Sequence, residues 1–130
     1  MAIRILSAKL FATKLKATIR SSGKLGFSEA TAKILDLESG KFAKFAEDTD
    51  NGTLYLIIID KGSKDAFPIR KSSGYFYAPT TAMFDALGYN YSKGLIIFDL
   101  VRQYSLDKEL QGKVLFMKQR VNHRRYNPMK

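Results

Sequence analysis

Tyr75, Tyr77, Tyr89 and Tyr91 fall near Arg70, Lys71 and Lys93, with Phe76 between the first two. Aromatic rings interleaved with cations suit a nucleic acid, because bases stack on the rings while the cations follow the phosphates. The same alternation also builds a sheet face whose aromatics pack as core. On a regular strand Tyr75 and Tyr77 point together to the face opposite Phe76. Phe76 therefore reads as core, and the two tyrosines stay open to either role.

The cations of the chain are unevenly placed. Residues 1–24 carry Arg4, Lys9, Lys14, Lys16, Arg20 and Lys24 without one acid, and residues 113–130 carry Lys113, Lys118, Arg120, Arg124, Arg125 and Lys130, again without one. The stretch between is slightly acidic, although the whole chain is at +10. Basic ends around a near-neutral middle point to a polyanion, against the alternative of lysines that only keep solvated faces soluble.

Other chemistries find little support. There is no Cys, which excludes disulfides, thiol catalysis and thiolate metal sites. The one histidine, His123, sits in a basic stretch without an ordered nucleophile or a G-x-S-x-G elbow, and reads as an exposed tail residue. Glu47-Asp48-Thr49-Asp50-Asn51-Gly52 lacks the spaced acids and terminal Glu of a calcium loop and reads as a turn. The glycines are scattered, with no phosphate-binding fingerprint. The expectation is a non-enzymatic protein with no catalytic residue, metal or cofactor. No run approaches the roughly 18 apolar residues of a membrane span, so no membrane partner is expected. A cytoplasmic location, with the nucleoid or a virion as variants, is the default.

The elements that must position these residues follow from periodicity. Residues 1–13 are ambiguous between helix and strand. Leu15, Ala17 and Ile19 alternate with Lys14, Lys16, Thr18 and Arg20, which predicts a half-buried strand with a basic outer face. Ser21-Ser22-Gly23 supplies a turn, with Gly23 free to take a positive φ, and Leu25 and Phe27 face inward on the return strand. Ser28 is a good N-cap for a helix over residues 30–37 that Gly40 terminates. Strands follow over 41–47 and 54–59, the latter apolar enough to be buried on both faces. After a polar link at 61–65, Phe67, Pro68 and Ile69 open a second series. It continues with the turn Ser72-Ser73-Gly74, the strand Tyr75-Phe76-Tyr77, a helix from Pro79 to Leu87 capped by Gly88, and a buried strand over 95–101. A short helix over 104–112 and one further strand over 114–117 complete the chain before a basic tail.

The two series resemble one another. Ile19-Arg20-Ser21-Ser22-Gly23 opens the first and Ile69-Arg70-Lys71-Ser72-Ser73-Gly74 the second, each placing an arginine ahead of a turn. Laying Gly23 on Gly74 puts Leu25 on Phe76 and Phe27 on Ala78. Gly23, Leu25, Phe27, Leu35, Leu37 and Gly40, and then Gly74, Phe76, Ala78, Pro79, Leu87 and Gly88, also resemble the core pattern of the swapped-hairpin DNA-binding family of AbrB-like regulators and MazE-type antitoxins. Ser28 stands where that family often has Pro, and Asp36 where it often has Gly. The resemblance implies two units fused into one chain, with basic residues of the hairpins facing DNA: Lys16, Arg20 and Lys24 in the first unit, Arg70 and Lys71 in the second. Tyr75 and Tyr77 replace Lys24 and Gly26 there, so symmetric reading of a duplex is in doubt.

The fold expected is β-rich α+β: two strand–turn–strand–helix–strand units, about 14–60 and 66–101, packed as an intrachain pseudodimer in a swapped-hairpin-like barrel. About eight strands and two to three helices make one domain over 1–119, with a tail at 120–130. The function expected is nucleic-acid binding, DNA before RNA, in a role such as transcription regulation. Lys14, Lys16, Arg20, Lys24, Arg70, Lys71, Tyr75 and Tyr77 are the candidate contacts, and Arg120, Arg124 and Arg125 add phosphate contacts. The alternative is a structural or assembly protein, a homodimer or larger particle, whose basic arms touch neighbouring subunits or packaged nucleic acid.

Overall fold

Leu15, Ala17 and Ile19 are buried while Lys16 and Thr18 between them are half-buried, the pattern of a strand with one face on a core. That strand, β1 (Leu15–Ile19), is followed by β2 (Leu25–Phe27), helix α1 (Glu29–Ile34), β3 (Phe42–Asp48) and β4 (Thr53–Ile59). Then come β5 (Ala66–Pro68), β6 (Arg70–Ser72), β7 (Tyr75–Ala78), α2 (Thr81–Ala86), β8 (Ile96–Arg102), α3 (Asp107–Leu110) and β9 (Lys113–Gln119). The structure is a computed structural model and describes residues 2–6, 8 and 14–120. His123, Arg124, Arg125 and the rest of the expected tail beyond residue 120 lie outside the described residues, as do residues 1, 7 and 9–13 of the ambiguous N-terminal stretch.

The nine strands form one antiparallel sheet in the order β5-β3-β4-β9-β8-β1-β2-β7-β6. Its two outermost strands are consecutive in the chain, separated by Ile69 alone. Residues 66–72 thus pair with β3 through their first half and with β7 through their second, which brings the edges together into a nearly closed barrel. Ile69 is where the stretch changes partner, its N–H still donating to Lys41 O at 3.1 Å. Counted around the barrel, β5 and β6 take one position, so the expectation of about eight strands differs from nine only by this break. Closure also covers backbone groups that an open sheet would leave unpaired.

Ser28 caps α1 as expected: its Oγ accepts from the Thr31 N–H at 3.2 Å and donates to Thr31 Oγ1 at 2.7 Å. The helix stops at Ile34 rather than 37 because Asp36 adopts a left-handed φ of 56°, which breaks the helical repeat. Likewise α2 begins at Thr81, two residues after Pro79. Each of these helices carries the chain between strands that are not neighbours and adds to the core, α1 with Thr31 and Ala32 and α2 with Phe84. Phe84 meets Phe45, Tyr89 and Phe98 at ring-centroid distances of 6.1, 5.3 and 6.5 Å, so aromatics of both halves of the sequence share one interior.

Leu54, Leu56 and Ile58 of β4 point into the barrel; on the other face Ile57 is also buried, at 2% exposed, while Tyr55 and Ile59 are half-buried, so the burial expected on both faces holds only at the middle of the strand. The short strand expected near 114–117 is β9, which lies in the middle of the sheet between β4 and β8.

Candidate nucleic-acid interface

Register fixes which side chains share the outer face. Thr18 pairs with Gly26, Gly26 with Tyr77 and Tyr77 with Arg70, a row running across β1, β2, β7 and β6. Tyr75, two residues from Tyr77, pairs with Ser72 and lies on the same face. Phe76 turns inward against the core. Tyr75 and Tyr77 therefore sit on the outside of the barrel, half-buried, with ring centroids 5.8 Å apart and planes tilted by 41°.

Two cations from the first hairpin lie on these rings. The Arg20 guanidinium is 4.8 Å from the centroid of Tyr75, and Lys24 Nζ is 4.8 Å from that of Tyr77. Both start from the 20–24 connection, which the bonds Arg20 N–H to Lys24 O (3.0 Å) and Gly23 N–H to Arg20 O (2.8 Å) close tightly. Arg20 reaches Tyr75 by lying across Gly26; a Cβ built there would stand 2.7 Å from Arg20 Nε. The clamp on this hairpin comes from the start of α2. Thr80 Oγ1 donates to Gly23 O (3.1 Å) and accepts from the Leu25 N–H (3.1 Å), and Thr81 Oγ1 donates to Ser22 O (2.8 Å).

The charge of this face is one-sided. Alternation along β9, β8, β1, β2, β7 and β6 places Lys118, Arg120, Lys14, Lys16, Arg20, Lys24 and Arg70 outward, with Asp99 the one acid among them. Asp99 pairs across the strands with Lys16 and Lys118 and holds Arg120 in a two-toothed contact, with 3.1 Å from Nε and 2.9 Å from Nη2. The Arg120 hydrogen bond, helped by Coulombic attraction from Arg120, Lys14 and Lys118, holds the Asp99 carboxyl below its usual range against the cost of desolvation.

Of the expected contacts, the structure thus brings Lys14, Lys16, Arg20, Lys24, Arg70, Tyr75, Tyr77 and Arg120 onto one continuous face. It does not bring Lys71 there. Alternation turns Lys71 to the opposite side from Arg70, where its Nζ pairs with Glu38 at 3.0 Å and lies 5.3 Å from the Phe76 ring, beside a cavity of about 360 Å³ floored by Phe27, Ala32 and Phe76. Nor are Arg20 and Arg70 equivalent, although their Ile-Arg dipeptides match. Ser73 and Gly74 form a two-residue loop with φ of 50° and 85°, so Arg70 stands three residues before it, opposite Tyr77, whereas Arg20 begins its own loop. Tyr89 and Tyr91 leave the cluster: Tyr89 packs on Phe84 and Phe98, and the Tyr91 hydroxyl donates to Asp85.

Sequence reasoning missed Lys118 and Gly26 as parts of this face. Lys118 belongs to it because β9 joins β8, a pairing no local pattern announces. Gly26 did carry a signal, since glycine inside a strand often marks the close approach of another group. Compared with protein-family models, curated proteins and solved structures, the chain matches none.

Proposed function

We propose that this protein binds nucleic acid on the outer face of β1, β2, β7 and β6, without catalysing a reaction on it. The observation that carries the reading is the Arg20–Tyr75 and Lys24–Tyr77 pairing within a field of seven cations and one acid. Cations that lie on rings at a solvated surface are held by only about 0.5–1 kcal/mol each, so phosphates can recruit them readily. DNA is the first polymer to test, in keeping with the AbrB-like resemblance and the regulatory role it implies. Binding that engages five of the cations should give a slope of log K against log salt of about −4 to −5 on duplex, or about −3.5 on a single strand. A flat response between 50 and 200 mM salt, on the order of the range where such contacts lose most of their affinity, would remove the proposal.

The reading extends to an intrachain pseudodimer, and the strand order supports it. Exchanging β1 with the 66–72 stretch, β2 with β7, β3 with β8 and β4 with β9 leaves every neighbour relation in the sheet unchanged. Laying Gly23 on Gly74 sends Gly26 to Tyr77, its own partner across β2 and β7. The strand after each helix pairs with the first strand of the other unit, β3 with β5 and β8 with β1, as a swapped arrangement requires.

The assembly reading keeps one supporting observation. Ile3 and Ile5 are 80% and 86% exposed on an N-terminal stretch whose Arg4 lies 4.2 Å from the Tyr104 ring. Such an arm suits a neighbouring subunit. Light scattering without nucleic acid separates the two: a monomer or dimer supports the binding module, a large defined particle supports assembly.

A further inference from the structure

We infer that the Tyr75–Tyr77 pair is a stacking platform for two successive bases, so that this face takes single-stranded nucleic acid in preference to duplex. The inference rests on the nucleic-acid reading above and deepens it. Three observations lead to it. Tyr75 and Tyr77 stand at alternate positions of one strand on the convex side of a barrel, where nothing of the core claims them. On one side of Tyr77 the row continues through Gly26 and Thr18, and Ser72 stands beside Tyr75, so what lies over the backbone next to the rings is the flexible Arg20 side chain across Gly26 rather than a fixed wall. Both rings carry a cation, Arg20 on one and Lys24 on the other, each at 4.8 Å.

A duplex keeps its base faces stacked on one another, and aromatic side chains on a sheet face gain nothing from it. An unpaired strand, by contrast, offers each base face to a ring and each phosphate to a cation. On binding, the bases take the places that Arg20 and Lys24 occupy on the rings, and the two cations move to the phosphates between and beside those bases. Arg70 and Lys16 lie at the two sides of the platform and extend the phosphate track. Ring stacking does not depend on base identity, so the platform accepts any base, with RNA and DNA strands both admitted.

The chain has seven Tyr and no Trp, so its own fluorescence is tyrosine fluorescence and stacking on Tyr75 and Tyr77 quenches it. The test uses the full chain with a fluorescein-labelled 12-mer of oligo-dT and a 12-base-pair duplex at one fixed salt concentration, read by anisotropy and by tyrosine emission. The expected result is tighter binding of the oligo-dT, with quenching. Tyr75→Ala and Tyr77→Ala should each lose about 5- to 100-fold on oligo-dT while the duplex is unchanged. Tyr75→Phe and Tyr77→Phe keep the ring and should retain the affinity. Tyr75→Leu and Tyr77→Leu keep the apolar cover of the strand, and carry the test should an alanine variant fail to fold. Equal binding of strand and duplex, with both unmoved by the Leu variants, overturns the stacking platform and leaves the nucleic-acid reading standing. Binding of neither probe overturns both.

Discussion

Arg20 crosses Gly26 so closely that a methyl group on Gly26 would stand 2.7 Å from its Nε and 3.5 Å from its Cδ. The seat of Arg20 on Tyr75 is therefore granted by a missing side chain on the strand between them. The obstructing atom, Nε, belongs to a flexible side chain, which can move aside without disturbing the sheet, and the distance to Cδ is an ordinary contact.

Gly26→Ala should accordingly leave the fold intact and unseat Arg20. Stability should change by no more than about 1 kcal/mol, the worth of an exposed cation–π contact, as read by urea unfolding. The Arg20 side-chain protons, shifted upfield by the Tyr75 ring in the wild type, should return toward ordinary arginine positions in proton NMR. An unmoved Arg20 signal would contradict the described geometry.

Asp99 restrains the cationic face. Asp99→Asn should release Arg120 and steepen the salt dependence of binding by about one phosphate contact, 0.7 to 0.9 in slope. The pH dependence has a definite sign. Because the Asp99 carboxyl is held below its usual range in the folded protein, its contribution to stability is present at neutral pH and lost as pH falls through that lowered value, below the usual 3.8. The difference in urea midpoint between wild type and Asp99→Asn should therefore be present at pH 7 and fade in that acid window.

Arg70 and Lys71 are adjacent in sequence and opposed in space. Arg70→Ala should weaken nucleic-acid binding and reduce the salt slope by about one contact, whereas Lys71→Ala should leave both unchanged. Equal losses from the two would mean that binding uses net charge rather than this face.

Thr80 is fully buried and holds the Leu25 N–H and the Gly23 carbonyl with one hydroxyl. Thr80→Val preserves its volume and strands the amide, at a cost of about 1–3 kcal/mol in urea unfolding. Thr80→Ser should recover most of the loss. A neutral Thr80→Val would show that the hairpin does not depend on this clamp.

Local pattern carried far into this fold. The alternation of β1, the cap at Ser28 and the turn over residues 47–52 before β4 were all legible, because each depends on residues within a few positions of one another. Neighbour relations were not. β1 lies beside β8, with Ala17 opposite Phe98, about 80 residues along the chain, and an inward-facing Ala, Leu or Ile suits any neighbour equally well. The site divides in the same way. That Tyr75 and Tyr77 share a face follows from strand geometry, but whether that face is core or surface depends on where β7 lies in the barrel. The opposition of Arg70 and Lys71 was available from alternation, and was obscured by matching Ile-Arg dipeptides that turned out to stand at different distances from their turns.

The strand order also governs what half of the chain amounts to. The β1–β2 hairpin and the β3–β4 hairpin are kept apart by β7 and the 66–72 stretch, and β6–β7 is kept apart from β8–β9 in the same way. A break in the exposed 61–65 loop would leave two pieces, neither able to assemble more than two strands side by side, and lone hairpins are marginal in water. Each piece would be the other's template. Co-expressed fragments divided at that loop should therefore recover one another where neither persists alone.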